Sequence, residues 1–424
     1  MEPLQQLSRL GVAIWLDDLS RSLVRSGRLA DLVRDRCVVG VTSNPTIFAT
    51  ALADGPAYDS QVRDLAVRGV AVGEAVRELT CADVRDACDV LRPTYDRTDG
   101  TDGRVSLEVD PRLARDADRT LAEAKALAWI VDRPNLLVKI PATEQALSAI
   151  TAATAAGISI NVTLLFSVER YRLVHDAYLT GLERRLAAGQ RLERVSSVAS
   201  FFISRVDGAV DPQLDALDPD KHPDARTLRG QAAIANARLA YQAYLQVMGS
   251  ERWTRLEHAG ARPQRLLWAS TGVKDPSYPP ARYVTELALR DTVNTMPPAT
   301  LQATSSANGP GLRDNAGQSD PQTVADQLAA LDVDLAQIAR QLEDKAVLLF
   351  QDSYTQLVDT VAAALTTAGA DIMADGTSRP AGGGQRPAHP PPRAERQPPS
   401  EPELPSANHH RQTNSTDSST RSVS

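Results

Sequence analysis

Lysine is nearly absent from this 424-residue chain. Only Lys125, Lys139, Lys221, Lys274 and Lys345 occur among its 46 basic residues, so arginine is the default cation. Cysteine is as scarce. Cys37, Cys81 and Cys88 make an odd count with no CxxC pair, which excludes a disulfide framework and a thiolate zinc site and suits a reducing cytosol. No stretch approaches the ~18 apolar residues of a membrane span. The N-terminus, MEPLQQLSRLGVAIWLDD, lacks a basic segment followed by an apolar one, so a soluble cytoplasmic protein is expected. The net charge of -7 argues against a nucleic-acid or anionic-membrane partner. Phosphate-cradling glycine patterns are missing too: no GxGxxG or GxxxxGK[ST] follows any apolar run, and the first turn, LDDLSRS, is poor in glycine. A doubly wound nucleotide-binding sheet is therefore disfavoured.

What is present is a rhythm. Eight short apolar, β-favouring runs recur: AIWLDD (13–18), VVGVTSNP (38–45), RVSLEVD (104–110), NLLVKIPA (135–142), ISINVTLLF (158–166), SVASFFISRVD (197–207), RLLWASTG (265–272) and DTVNTMP (291–297). Stretches with helical apolar spacing separate them, among them 19–36, 111–131, 144–156 and 168–188. Eight alternations predict an α/β fold, a (β/α)8 TIM barrel, over residues 1–373. The connections at about 46–103 and 208–264 are too long for one helix and read as helical insertions on the barrel. Helices at 321–344 and 345–369 would close it. From about 374 to 424 the chain turns rich in Pro, Gly and Ser and is read as a disordered tail. Its histidines, His389, His409 and His410, read as solvated residues rather than metal ligands.

Catalytic groups of such barrels project from the C-terminal ends of the strands. Polar residues collect there: Asp17 and Asp18; Thr42, Ser43 and Asn44; Glu108; Lys139; Asn161 and Thr163; Ser204 and Arg205; Ser270 with Lys274 beyond it; Asn294. Each taken singly reads first as a cap or turn residue. A set on every strand reads as an active site. Lys139 interrupts an apolar run, where it either ion-pairs with a carboxylate on a neighbouring strand or serves as a nucleophile, since burial favours the uncharged amine. A free amine condenses with a ketone, and the iminium then draws electrons from the C3–C4 bond of a keto-sugar. Asp17 would take the C4 hydroxyl proton and Glu108 would shuttle protons through water, with Thr163 fixing that water. Asn44 and Asn161 would hold sugar hydroxyls. Arg205, Ser270 and Lys274 would bind phosphate. The metal-dependent route to the same cleavage needs several histidines, yet His175, His222 and His258 all lie outside the strand ends. No metal or cofactor is expected.

The pieces VTSNPTIF, RVSLEVDPRL, NLLVKIPAT, GISINVTLLFS, FFISRVD, LLWASTGVKDP and DTVNTMP, in that order over about residues 8–370, resemble the transaldolase family in its long actinobacterial form. The resemblance implies a class I aldolase barrel that moves a dihydroxyacetone unit from sedoheptulose 7-phosphate to glyceraldehyde 3-phosphate. It puts the Schiff-base lysine at Lys139, the proton-transfer aspartate at Asp17 and the glutamate at Glu108. Thr42, Asn44, Asn161, Thr163, Ser204, Arg205 and Ser270 match further motif positions. Shorter members carry extra residues between the serine and arginine of the sixth strand, and an arginine after the seventh-strand serine, where this chain offers Lys274. The expected partners are phosphorylated sugars, for a monomer or homodimer. A fructose 6-phosphate aldolase, a paralogue in specialised metabolism and a catalytically dead barrel remain as alternatives.

Overall fold

The computed structural model describes residues 2–53, 56–306 and 319–377, with side chains described to residue 372. Eight parallel strands close in chain order: β1 (Val12–Asp17), β2 (Val38–Thr42), β3 (Arg104–Glu108), β4 (Leu136–Pro141), β5 (Ile160–Leu165), β6 (Ser197–Phe202), β7 (Gln264–Ala269) and β8 (Thr292–Met296). β1 pairs with both β2 and β8, so the sheet has no edge. The expected barrel is the observed one. Its strands read as nearly unbroken apolar runs because helices cover the outer face while side chains fill the inner one, and β4, β5 and β6 are buried along their whole length.

The floor beneath the barrel mouth illustrates the packing. Trp15 lies two residues before Asp17 and thus on the same face of β1, and its fully buried indole occupies the space beside Gly40 of β2. A β-carbon at Gly40 would stand 2.4 Å from the indole, so any larger residue there would displace the ring.

Both long connections are helical, as expected. The first holds helices Pro45–Ala53, Asp59–Arg68 and Val72–Arg97; the second holds Ser204–Asp215, Ala232–Met248 and Glu251–His258. Other boundaries differ from the sequence reading. The 19–36 stretch is two helices, Arg21–Arg25 and Arg28–Asp35, parted at Gly27, whose φ of 80° ends the first. β6 stops at Phe202 rather than 207, so Ser204 and Arg205 open a helix instead of ending a strand. The closing helices do not divide at 344/345. One covers Pro321–Ala330 and the other runs unbroken over Leu335–Thr377, past the expected domain limit at 373. The break falls where Asp332 takes a φ of 60° and Asp334 accepts the amides of Ala336 and Gln337. A helix Pro3–Arg9, which burial of Leu4 and Leu7 anchors, precedes β1 and was not anticipated. The proposed tail lies outside the described residues from 378 onward. No helix among the described residues is long and apolar enough to cross a membrane.

Candidate active site

Strand register gathers the first group of polar residues. Asp17 stands opposite Thr42 across β1 and β2, Glu108 opposite Lys139 across β3 and β4, and Lys139 opposite Asn161 across β4 and β5. Lys139 is buried, donates to the Ser43 carbonyl at 2.9 Å and stands 3.3 Å from Glu108 Oε2. Its Nζ lies 5.8 Å from the ring centre of Phe350, which the helix Leu335–Thr377 brings over the barrel mouth. The same helix is anchored there where Thr46 donates to Ser353 at 2.9 Å. Lys139 thus has the neighbouring-strand ion pair of a structural lysine, and it also opens on a cleft.

The cleft encloses about 930 Å³. Asp17, Thr42, Asn44, Lys139, Thr163, Arg205, Ser270 and Lys274 all line it, so eight of the eleven residues named from sequence converge. At one side the hydroxyls of Thr295 and Thr42 meet at 2.7 Å, and Thr42 donates to Asp17 Oδ1 at 2.6 Å. Since the Thr42 proton is committed to Asp17, the Thr295 hydroxyl is the donor in that pair. Burial pushes the Asp17 pKa up, against the opposing pull of the Thr42 hydrogen bond and the Lys139 charge. Asp18 next to it is also raised, by burial and then by the Asp17 charge.

Glu108 lies on the far side of Lys139. Burial raises its pKa, the Lys139 charge opposes this, and Asp17 adds to the rise. Neither Glu108 carboxylate oxygen has a hydrogen-bond partner among the described residues, nor does Thr163 Oγ1, although all three are buried. Thr163 sits where the β5–β6 register shifts, just before Leu164, whose φ of 64° is unusual for a leucine. Backbone held this way re-aims a strand end.

The opposite side of the cleft is cationic and is carried by non-strand backbone. Arg205 lies in the first turn of Ser204–Asp215, its guanidinium over the Phe202 ring at 5.4 Å, with no carboxylate in ion-pair range among the described residues. Burial alone lowers its pKa. The exposed Lys274 follows from the loop after β7. Ser270 begins that loop with a φ of 55° and meets the Ser204 hydroxyl at 3.0 Å.

Three of the named residues stand behind the lining. Glu108 has been placed. Asn161 is wholly buried and uses its amide on Ser106 (3.0 Å) and Ser200 (2.6 Å). Ser204 is buried against Ser270. Asn44 combines two roles: its Oδ1 accepts the Ile47 amide at 3.0 Å as a helix cap, and the residue lines the cleft. Asn294, one of the polar strand-end residues, is not part of the lining. Its neighbour Thr295 faces the cleft, so the two-residue period of β8 turns Asn294 to the outer face. Thr295, Ser200, Phe202 and Phe350 were missed. Strand alternation would have found the first three; Phe350 comes from a distant helix and carries no local signal.

Comparison with known proteins adds an independent line. The family model described as Transaldolase/Fructose-6-phosphate aldolase matches residues 14–361. The chain is 59% identical over 367 residues to a protein of Thermobifida fusca (strain YX) named Transaldolase, covering 86% of this chain and 98% of that one. It is 56% identical over 368 residues to the Transaldolase of Parafrankia sp. (strain EAN1pec), covering 87% and 99%. With the Transaldolase of Mycolicibacterium smegmatis (strain ATCC 700084 / mc(2)155) it shares 52% identity over 368 residues, covering 86% and 98%.

Proposed function

The chain belongs to the transaldolase/fructose-6-phosphate aldolase family, and from that premise we propose that it moves a dihydroxyacetone unit from sedoheptulose 7-phosphate to glyceraldehyde 3-phosphate through a Schiff base on Lys139, giving erythrose 4-phosphate and fructose 6-phosphate. Family membership makes it an enzyme of the transaldolase type that acts on phosphorylated sugars. The observation that carries the finer reading is the position of the Lys139 amine, between a buried carboxylate at 3.3 Å and a cleft with Asp17 at one side and an unpaired Arg205 at the other.

In this reading a proton shift from Lys139 to Glu108 leaves a free amine, which adds to the ketone carbon C2 of the donor. The carbinolamine loses hydroxide as water when Glu108 returns a proton, with Thr163 Oγ1 orienting the water that carries it. The buried, unpartnered oxygens of Glu108 and Thr163 are suited to that relay. Asp17 then accepts the C4 hydroxyl proton. The C3–C4 bond breaks, its electrons pass to the iminium nitrogen, and the aldehyde leaves. Thr42 orients Asp17 for both the removal and the later return of this proton. The enamine adds to the acceptor aldehyde, Asp17 gives the proton back to the new hydroxyl, and water releases the product ketose. Arg205, Lys274 and Ser270 hold the phosphate of donor and acceptor in turn, beside the N-terminus of the helix Ser204–Asp215.

The test is borohydride reduction with fructose 6-phosphate, read by intact mass, followed by an acceptor assay. The wild type should gain one reduced dihydroxyacetone adduct, Lys139→Arg none, and erythrose 4-phosphate should discharge the intermediate as sedoheptulose 7-phosphate. Release of free dihydroxyacetone without an acceptor would identify a fructose 6-phosphate aldolase instead. No adduct with any phosphorylated ketose would refute the Schiff-base assignment.

A further inference from the structure

The two cations of the anion site sit on separate pieces of chain. Arg205 belongs to the helix Ser204–Asp215, and Lys274 to the loop that leads from β7 to the short helix Arg282–Thr285. A space of about 660 Å³ lies between helix and loop, lined by Lys274 and Asp275 on one side and by Asp211 and Asp215 on the other. Val273 packs against the core on the other side, but on the side where Lys274 and Asp275 face this space apolar packing does not hold the loop. Side-chain bonds do. Tyr278 donates to Asp211 Oδ2 at 2.6 Å. Arg229 bonds to Asp275 at 2.7 Å and, with its other terminal nitrogen, to Asp215. Asp275 is the residue next to Lys274, and its Oδ1 also closes the following turn by accepting the Ser277 amide at 2.9 Å.

Asp211 itself is fixed from a third direction, since its Oδ1 accepts the Gly230 amide at 2.9 Å. Its carboxylate therefore joins three segments: the helix with Arg205, the 229–231 turn with Arg229, and the loop with Lys274. A flexible lysine on an untied loop would have to be ordered each time phosphate binds, at a cost in side-chain and backbone entropy. A loop tied in advance avoids the larger backbone share of that cost.

We propose that the Tyr278–Asp211 and Arg229–Asp275 bonds are the positioning device of the phosphate site: they hold the Lys274 loop at a fixed reach from Arg205, and so set affinity for phosphorylated over unphosphorylated sugars without touching the substrate. This rests on the reading of the cleft as a sugar-phosphate site. Tyr278 and Asp275 are then positioning residues, and their effect passes through Lys274.

The experiment compares wild type, Tyr278→Phe and Asp275→Asn in two measurements. The first is binding of inorganic phosphate by calorimetry, which needs no turnover. The second is steady-state kinetics with fructose 6-phosphate and with fructose as donors. Loss of one tie should weaken phosphate binding and raise KM for fructose 6-phosphate by about three- to tenfold, the worth of one hydrogen bond. The kcat value, and kcat/KM for fructose, should stay within about twofold. Unchanged phosphate affinity in both variants overturns the proposal, as does an equal loss with fructose, which marks a merely structural role. If wild type binds phosphate but traps no ketose, the reading of the reaction fails while the positioning claim is still decided by the calorimetry. If wild type binds no phosphate, the positioning claim fails whatever the trapping shows.

Discussion

The cleft has two sides built on different principles. The side of Lys139, Glu108, Asp17 and Thr42 rests on strands, where ladder register sets each group opposite the next to within a hydrogen bond's tolerance. The side of Arg205, Ser270 and Lys274 rests on a helix start and a loop, held by bonds between side chains distant in sequence. The difference matches what each is asked to do. Bond making and breaking tolerates little displacement of the reacting groups. Holding a phosphate tolerates more, because charge attraction falls off slowly with distance.

The largest effect should come from the strand side. Lys139→Met should abolish adduct formation and lower kcat/KM by roughly a thousandfold or more, since a covalent mechanism loses its nucleophile. On the anion side, Arg205→Met should instead raise KM for fructose 6-phosphate by about ten- to a hundredfold, with less change in kcat, as expected for a lost charge-assisted contact. Trapping at saturating sugar would remain. A large kcat loss in that variant would blur the two sides into one.

Thr42→Val sharpens the strand side further. The Thr42 hydrogen bond pulls the Asp17 pKa down while burial raises it above 3.8. Asp17 must be ionised to accept a proton, so activity falls on acidification. Removing the hydrogen bond should move that acid limb to higher pH and lower kcat at neutral pH by about three- to tenfold. A pH–rate profile of kcat/KM checks both, and an unmoved limb would detach Thr42 from the base.

The smallest effect on turnover belongs to the support of the anion side, where the readout is stability. Asp207 accepts the Ala233 amide and the Tyr283 hydroxyl, yet burial raises its pKa to about 6. The folded state thus binds this proton more tightly than the unfolded chain does. Stability from this residue is fullest below pH 3.8 and is lost as pH rises to about 6, by up to about 3 kcal/mol. Asp207→Asn should therefore gain on wild type between pH 4 and pH 7 in thermal unfolding, and a constant difference would contradict the assignment.

The same contrast explains what was legible in the sequence. A lone lysine or glutamate at the end of an apolar run announces itself, and Lys139 and Glu108 were singled out that way, while Asp17 and Thr163 stood out as polar strand ends. Period-2 parity was available for β8 and would have chosen Thr295 over Asn294. Ser204 and Arg205 were identified, but their element was not: FFIS continues the apolar run, while the chain turns at Ile203 into a helix. Phe350 and the Tyr278–Asp211 bond had no local signal, because they join residues that only the closed barrel brings together.

The division of labour is tested most directly by the mass of the trapped adduct in Asp17→Asn. With fructose 6-phosphate and borohydride, Lys139 should still form its imine, but the C3–C4 bond should stay intact. The expected product is a six-carbon phosphorylated adduct where the wild type yields a three-carbon one. A three-carbon adduct formed at the wild-type rate would show that Asp17 is not the base, and the proposed chemistry of the strand side would fall with it.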